Sequence, residues 1–186
     1  MRRTAGGVGL RWGAVSALAG ALLGVIGVFL PWAQLTSVGS LVAPTVTTVG
    51  VAGIRHWTGL AALVASGVAV LGALGAGMFE DAPSRRQAGA VAAAAGALAI
   101  VAALIGFSQR EAIATGGLPG GREALTFARD FAAEFNREFD LSIPPPRVGA
   151  GMGVFLTLVG GAAATTGALL VLRQEAPHRR GLRFGH

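Results

Sequence analysis

No cysteine and no lysine occur among the 186 residues, and only 6% are aromatic and 13% charged. Without Cys there is no disulfide, no thiolate metal site and no Cys nucleophile, and no trace of the redox compartment. Soluble domains carry about 25% charged residues, so so little charge argues against a soluble globular enzyme. The 53% hydrophobic content excludes a disordered chain. The apolar surplus is mostly Ala, Gly, Val and Leu, and the mean hydropathy is +0.63.

A second absence is more specific. Residues 12–32, 58–79, 88–108 and 148–172 contain no Asp, Glu, Lys, Arg or His. At 1.5 Å per residue, about 20 apolar residues cross a hydrocarbon core of roughly 30 Å. Four helices apolar all round could not be wrapped by the rest of so short a chain. The expected fold is therefore all-α and integral to a membrane. It is a single four-span domain over 1–186, with loops 33–57 and 109–147 on one side and loop 80–87 and the basic tail 173–186 on the other. The same absence removes the usual marks of ion paths, proton relays and intramembrane hydrolysis.

Arg sets the orientation. With both termini cytoplasmic, the inner segments hold nine Arg (Arg2, Arg3, Arg11, Arg85, Arg86, Arg173, Arg179, Arg180 and Arg183) against three acids. The outer loops then hold six Arg against six acids, so the formal +6 is all inside. This satisfies the positive-inside rule in the cytoplasmic (inner) membrane. The pI of 11.7 is then a topology signal, and no motif for nucleic acid accompanies it. The first apolar run exceeds a signal peptide's core of about 7–15 residues and ends in Leu30-Pro31-Trp32 without a small-x-small site, which reads as an uncleaved anchor.

The two outer loops differ in character. Residues 35–38 and 46–49 are β-branched runs separated by Gly39-Ser40 and Pro44, so the first loop reads as a β-ribbon of two or three strands. Two strands alone are marginal, and the ribbon is expected to lean on the membrane face or on the second loop. In the second loop, Phe127, Phe131, Phe135 and Phe139 recur every fourth residue with Ala124, Ala128 and Ala132. This predicts an amphipathic helix over 122–139, bounded by the Gly-rich 116–121 and by Pro144–Pro146. Four buried Phe contribute upwards of about 10 kcal/mol gross, much of it offset by ordering. Arg122, Arg129 and Arg137 against Glu123, Asp130, Glu134 and Glu138 give mixed charge, unlike the Lys/Arg-rich face of lipid-adsorbing helices. The helix is expected to cap the outer end of the bundle and to leave part of its stripe for a protein partner.

Other candidates reduce to packing or interface roles. Gly20 and Gly24 form a GxxxG, and Ala61, Ala65, Ala69, Ala73 and Gly77 a small stripe; such faces let helices approach closely, within one chain or between chains, so a homo-oligomer stays open. Gly149/Gly153 and Gly160/Ala164 repeat the pattern. Trp12, Trp32 and Trp57 fall at span boundaries and read as a membrane-interface belt in contact with lipid. His56 lacks partner ligands in its loop, and His178 and His186 lie in the tail. The Gly-rich 116–121 lacks the Lys and the strand of a phosphate loop. Glu134 and Glu138 sit among Arg129 and Arg137 as a charge-laced surface. No residue pattern points to catalysis, a cofactor or a metal.

The Phe29-Leu30-Pro31-Trp32 end of the first span, the β-rich loop and the Arg-containing inner loop resemble uncharacterised four-span membrane proteins of actinobacteria, among them the tryptophan-associated transmembrane proteins. The resemblance covers the overall plan, is carried by one Pro-Trp pair, and implies no catalytic residue. The plan is also similar to that of claudins, whose paired Cys are absent here, so their function is not carried over. The expected function is a non-catalytic accessory or scaffold subunit of a larger bacterial membrane complex. The alternative is an oligomeric transport or lipid-handling protein.

Overall fold

Pro31 stops the first helix: it has no N–H to donate and biases the residue before it away from helical backbone. In the computed structural model, which describes residues 6–38, 46–116 and 120–174, helix α1 (Gly6–Phe29) gives way to strand β1 (Pro31–Val38). Strand β2 (Val46–Ala52), a 3-10 turn (Gly53–Arg55) and helix α2 (Trp57–Met78) follow. Then come α3 (Ala82–Ser108), a short α4 (Arg110–Thr115), α5 (Gly121–Phe139), β3 (Arg147–Ala150) and α6 (Met152–Gln174). Arg2, Arg3, residues 39–45 with Gly39, Ser40 and Pro44, residues 117–119 and the residues from 175, including His178 and His186, lie outside the described residues.

Helices α1, α2, α3 and α6 are long and apolar enough to cross a membrane. They form a ring in the order α1–α6–α3–α2. Its centre is a stack of layers with one small residue from each helix: Ala17, Ala73, Ala92 and Ala168 in one, Ala21, Ala69, Ala95 and Ala164 in the next. Most Leu side chains of these helices point outward instead, with Leu71 70% and Leu98 62% exposed, while Val28, Val154 and Val171 are buried toward the ends. Soluble proteins bury their large apolar side chains. The reverse arrangement suits surroundings as apolar as the side chains themselves, where close packing of small residues holds helices together.

The α1–α6 seam is the tightest. Gly13, Gly20 and Gly27 on α1 meet Gly167, Gly160 and Gly153 on the antiparallel α6, and a Cβ added at Gly20 would lie 2.5 Å from the Ala164 backbone N and 2.6 Å from the Gly160 carbonyl. The seven-residue spacing keeps one seam aligned along slightly supercoiled helices. On α2 the buried stripe is Ala62, Ala65, Ala69, Ala73 and Ala76, while Ala61 and Gly77 are exposed. The expected four-residue stripe fails here because four residues advance 400°, drifting about 40° per step around the helix.

The ribbon gains its third strand from the second loop. Strand β1 pairs antiparallel with β2 from Ala33↔Val51 to Val38↔Val46, and with β3 from Ala33↔Ala150 to Thr36↔Arg147, giving the order β2-β1-β3. The helix expected to cross from residue 148 therefore begins at Met152. A short Val/Gly/Ala run has the same hydropathy in a strand as in a helix, and Gly151 abuts the Pro31 carbonyl where no Cβ fits. The expected loop 80–87 also shrinks. Asp81 caps α3 by accepting a 2.9 Å hydrogen bond from the Ser84 N–H, with Pro83 in the first turn. The helix thus runs well beyond its ion-free segment.

Candidate interaction surface

Trp32 departs most from the sequence reading. Its ring is 1% exposed, buried beneath the sheet instead of lying in an interface belt. The indole Nε1–H donates to the Gly27 carbonyl at 3.0 Å, a carbonyl that also accepts from the Leu30 N–H at 3.3 Å where α1 ends. Gly53, Gly106 and Gly153 surround the ring, and a Cβ on any of them would run into it. Val28, Ala33, Ile113, Ala114 and Val154 complete this core. Hydropathy alone cannot tell an indole at a headgroup from one under a sheet; the surrounding glycines were the available signal. Trp12 and Trp57 are 69% and 56% exposed at opposite ends of the bundle, as belt residues would be.

Gly20 and Gly24 are not presented to a partner. Gly20 lies against α6, and a Cβ on Gly24 would meet the Ser66 hydroxyl of α2 at 2.6 Å. Both serve the chain's own packing. His56 caps α2: its Nδ1 accepts from the Thr58 N–H at 3.4 Å and lies 2.9 Å from the Thr58 hydroxyl. Partial burial lowers its pKa from the ordinary value. Among the described residues no group of three His, Asp or Glu side chains could hold a metal.

Helix α5 forms as its periodicity dictates, starting after Gly120 at φ 79° and ending at Asp140 at φ 49°. One face holds it to the rest of the protein. Leu125 is buried, Arg129 pairs with Glu111 of α4 at 3.3 Å, and Arg129 Nε donates to the Pro146 carbonyl at 3.2 Å. Asn136 clasps the chain beyond the helix, donating to the Ile143 carbonyl at 2.7 Å and accepting from its N–H at 2.9 Å. The short α4 that receives it, with Ile113 and Ala114 in the core, was not anticipated from the sequence.

The Phe stripe does not take part in that docking. The rings stack on one another, with centroids 6.2, 5.7 and 4.5 Å apart from Phe127 through Phe131 and Phe135 to Phe139. Phe127, Phe131 and Phe139 remain 71%, 53% and 56% exposed, and Phe135 is half-buried. Helix α5 thus packs chiefly on α4 and the segment before β3 through its Leu125–Arg129–Asn136 face, not across the ends of the four long helices as expected, and leaves the aromatic ladder open. Glu134 and Glu138 are exposed beside it.

A second apolar feature lies between α2 and α3. The two helices come together at Gly72 and Ala92. Toward the sheet end they border an open cleft of about 590 Å³, lined by Trp57, Leu60, Val64, Val68, Leu98 and Val101 among others. No protein-family model matches the chain, and no curated protein matches it in sequence.

Proposed function

We propose that this protein is a non-catalytic accessory or scaffold subunit of a larger bacterial membrane complex, docking a partner protein through the Phe ladder of α5. The observation that carries the reading is a four-ring aromatic stripe, three rings exposed and Phe135 half-buried, on a helix that is otherwise fastened to the body. Exposed apolar patches of this kind mark interaction sites, and aromatic side chains are favoured anchors at interfaces. The positive-inside balance supports a cytoplasmic membrane location, cytoplasmic termini, and a sheet and α5 on the outer side. Lipids then surround the four helices. The resemblance to the actinobacterial four-span proteins fits the same plan, and the reading requires no cofactor.

The test is recovery of the native complex after gentle extraction. Phe131→Asp and Phe135→Asp are expected to reduce co-purification of the partner several-fold while membrane insertion is unchanged. A single monomer band for the unmodified protein in native electrophoresis, with nothing co-purifying, overturns the proposal. The alternative, a transport or lipid-handling protein, draws on the α2–α3 cleft, whose size falls within the range of about 300–1,000 Å³ for ligand pockets. The Ala layers fill the centre of the ring, so a conducting path would need several copies. That reading predicts substrate-dependent flux in liposomes containing this protein alone.

A further inference from the structure

Each acid of α5 has a fixed relation to a ring of the ladder. Asp130, Glu134 and Glu138 stand three residues after Phe127, Phe131 and Phe135, and Glu123 stands four before Phe127. On a helix of 3.6 residues per turn, both offsets place the carboxylate about 40–60° to the same side of its ring. The four acids thus form one row along one edge of the stripe, and all four are exposed. Among the described residues, the ion pair involving α5 is that of Arg129 with Glu111; Arg137, three residues after Glu134, borders the row on its side away from the rings, and the four carboxylates line the edge next to the Phe stripe. The opposite edge carries Leu125, Arg129 and Asn136 and is taken up by the protein's own α4 and the segment before β3.

From this we infer that the occupant of the ladder is a basic amphipathic helix of a partner protein, whose apolar side chains pack on the Phe rings while Lys or Arg face the carboxylate row. The inference rests on the docking reading above and adds the partner's chemistry to it. Helix-in-groove recognition supplies the apolar contact, and complementary charge along the edge fixes orientation and suppresses wrong partners. A second copy of this chain is the poorer occupant. Antiparallel pairing across the stripes sets one carboxylate row against the other, and like charges so placed repel. An anionic lipid surface is repelled by the same row, since such surfaces attract cationic segments.

The experiment uses the full chain in nanodiscs of zwitterionic lipid and two synthetic helical peptides that share one Leu face. One peptide has a Lys polar face and the other a Glu polar face. The Leu–Lys peptide is expected to bind at least about tenfold more tightly than the Leu–Glu peptide, with a preference that weakens at high salt. Glu134→Lys combined with Glu138→Lys is expected to reverse the preference, and Phe131→Asp with Phe135→Asp to abolish binding of both. Equal binding of the two peptides, sensitive to the Phe changes and insensitive to the Glu changes, overturns the charge inference and leaves the docking reading standing. Peptide binding and native complex recovery both unchanged in the Phe variants overturn the two together. Dimerisation of the unmodified chain that Phe131→Asp disrupts, or a preference for phosphatidylglycerol vesicles over the Leu–Lys peptide, overturns it in favour of a second copy or of lipid.

Discussion

A glycine in this bundle is a statement about distance. At Gly20 a methyl group would meet the Ala164 N, the Gly160 carbonyl and the Ala163 Cβ of α6, none of which can rotate aside, whereas Gly67 has nothing within 4 Å of its would-be Cβ. Gly20→Ala is therefore expected to lower the melting temperature in detergent, at an overpacking cost of about 1–3 kcal/mol. Gly67→Ala is expected to be neutral or to raise it, since removing a mid-helix Gly is worth roughly 0.5–1 kcal/mol. Equal shifts in the two variants would mean that the α1–α6 seam is looser than its spacing implies. Gly20 was visible in the sequence as half of a GxxxG, but the pairing of Gly13, Gly20 and Gly27 with Gly167, Gly160 and Gly153 was not. A short motif shows that a backbone can come close; which backbone it meets depends on helix order around the ring. Trp32 was hidden for a related reason: the sequence placed it at the end of a span without saying what lay above.

At the scale of elements, the start of α2 has a titratable cap. Nδ1 of His56 can accept from the Thr58 N–H only while unprotonated, and both burial and the positive end of the helix disfavour its cation. With the folded pKa lowered, the His56 contribution is complete above the ordinary value of 6.5 and is lost as pH falls through the lowered folded value. Stability measured across that range should fall toward acid, and His56→Asn, which keeps an acceptor without the titration, should flatten the dependence. Helix α5 offers a second check. Its salt bridge is half-exposed and worth little alone, so the Asn136 clasp and Leu125 carry most of the tether. Asn136→Ala combined with Arg129→Ala should raise hydrogen exchange across 120–146 and leave α1, α2, α3 and α6 protected. The existence and ends of α5 were legible because a four-residue Phe period between Gly and Pro signals has one reading. The face by which it docks was not legible, because it is held by Leu125 and two polar side chains whose partners are distant in sequence.

At the scale of the whole molecule, four helices of membrane length followed from the runs without ionisable groups. Where they begin and end did not, because apolarity continues from α6 back into β3 and charge begins inside α3. The strand order β2-β1-β3 also joins the last strand to the first, and α6 closes on α1 along the glycine seam. During synthesis the ribosome makes α1 well before α6. Throughout that interval the glycine face of α1 has no mate, one edge of β1 is unpaired, and the indole of Trp32 lacks the wall that Gly153 provides. Long-range closures of this kind are slow, and open edges recruit other chains. A nascent chain halted before residue 147 is therefore expected to be degraded rapidly in a pulse-chase experiment, whereas the full chain persists. The order in which the protein is made thus leaves its most closely fitted surfaces unassembled until α6 has emerged.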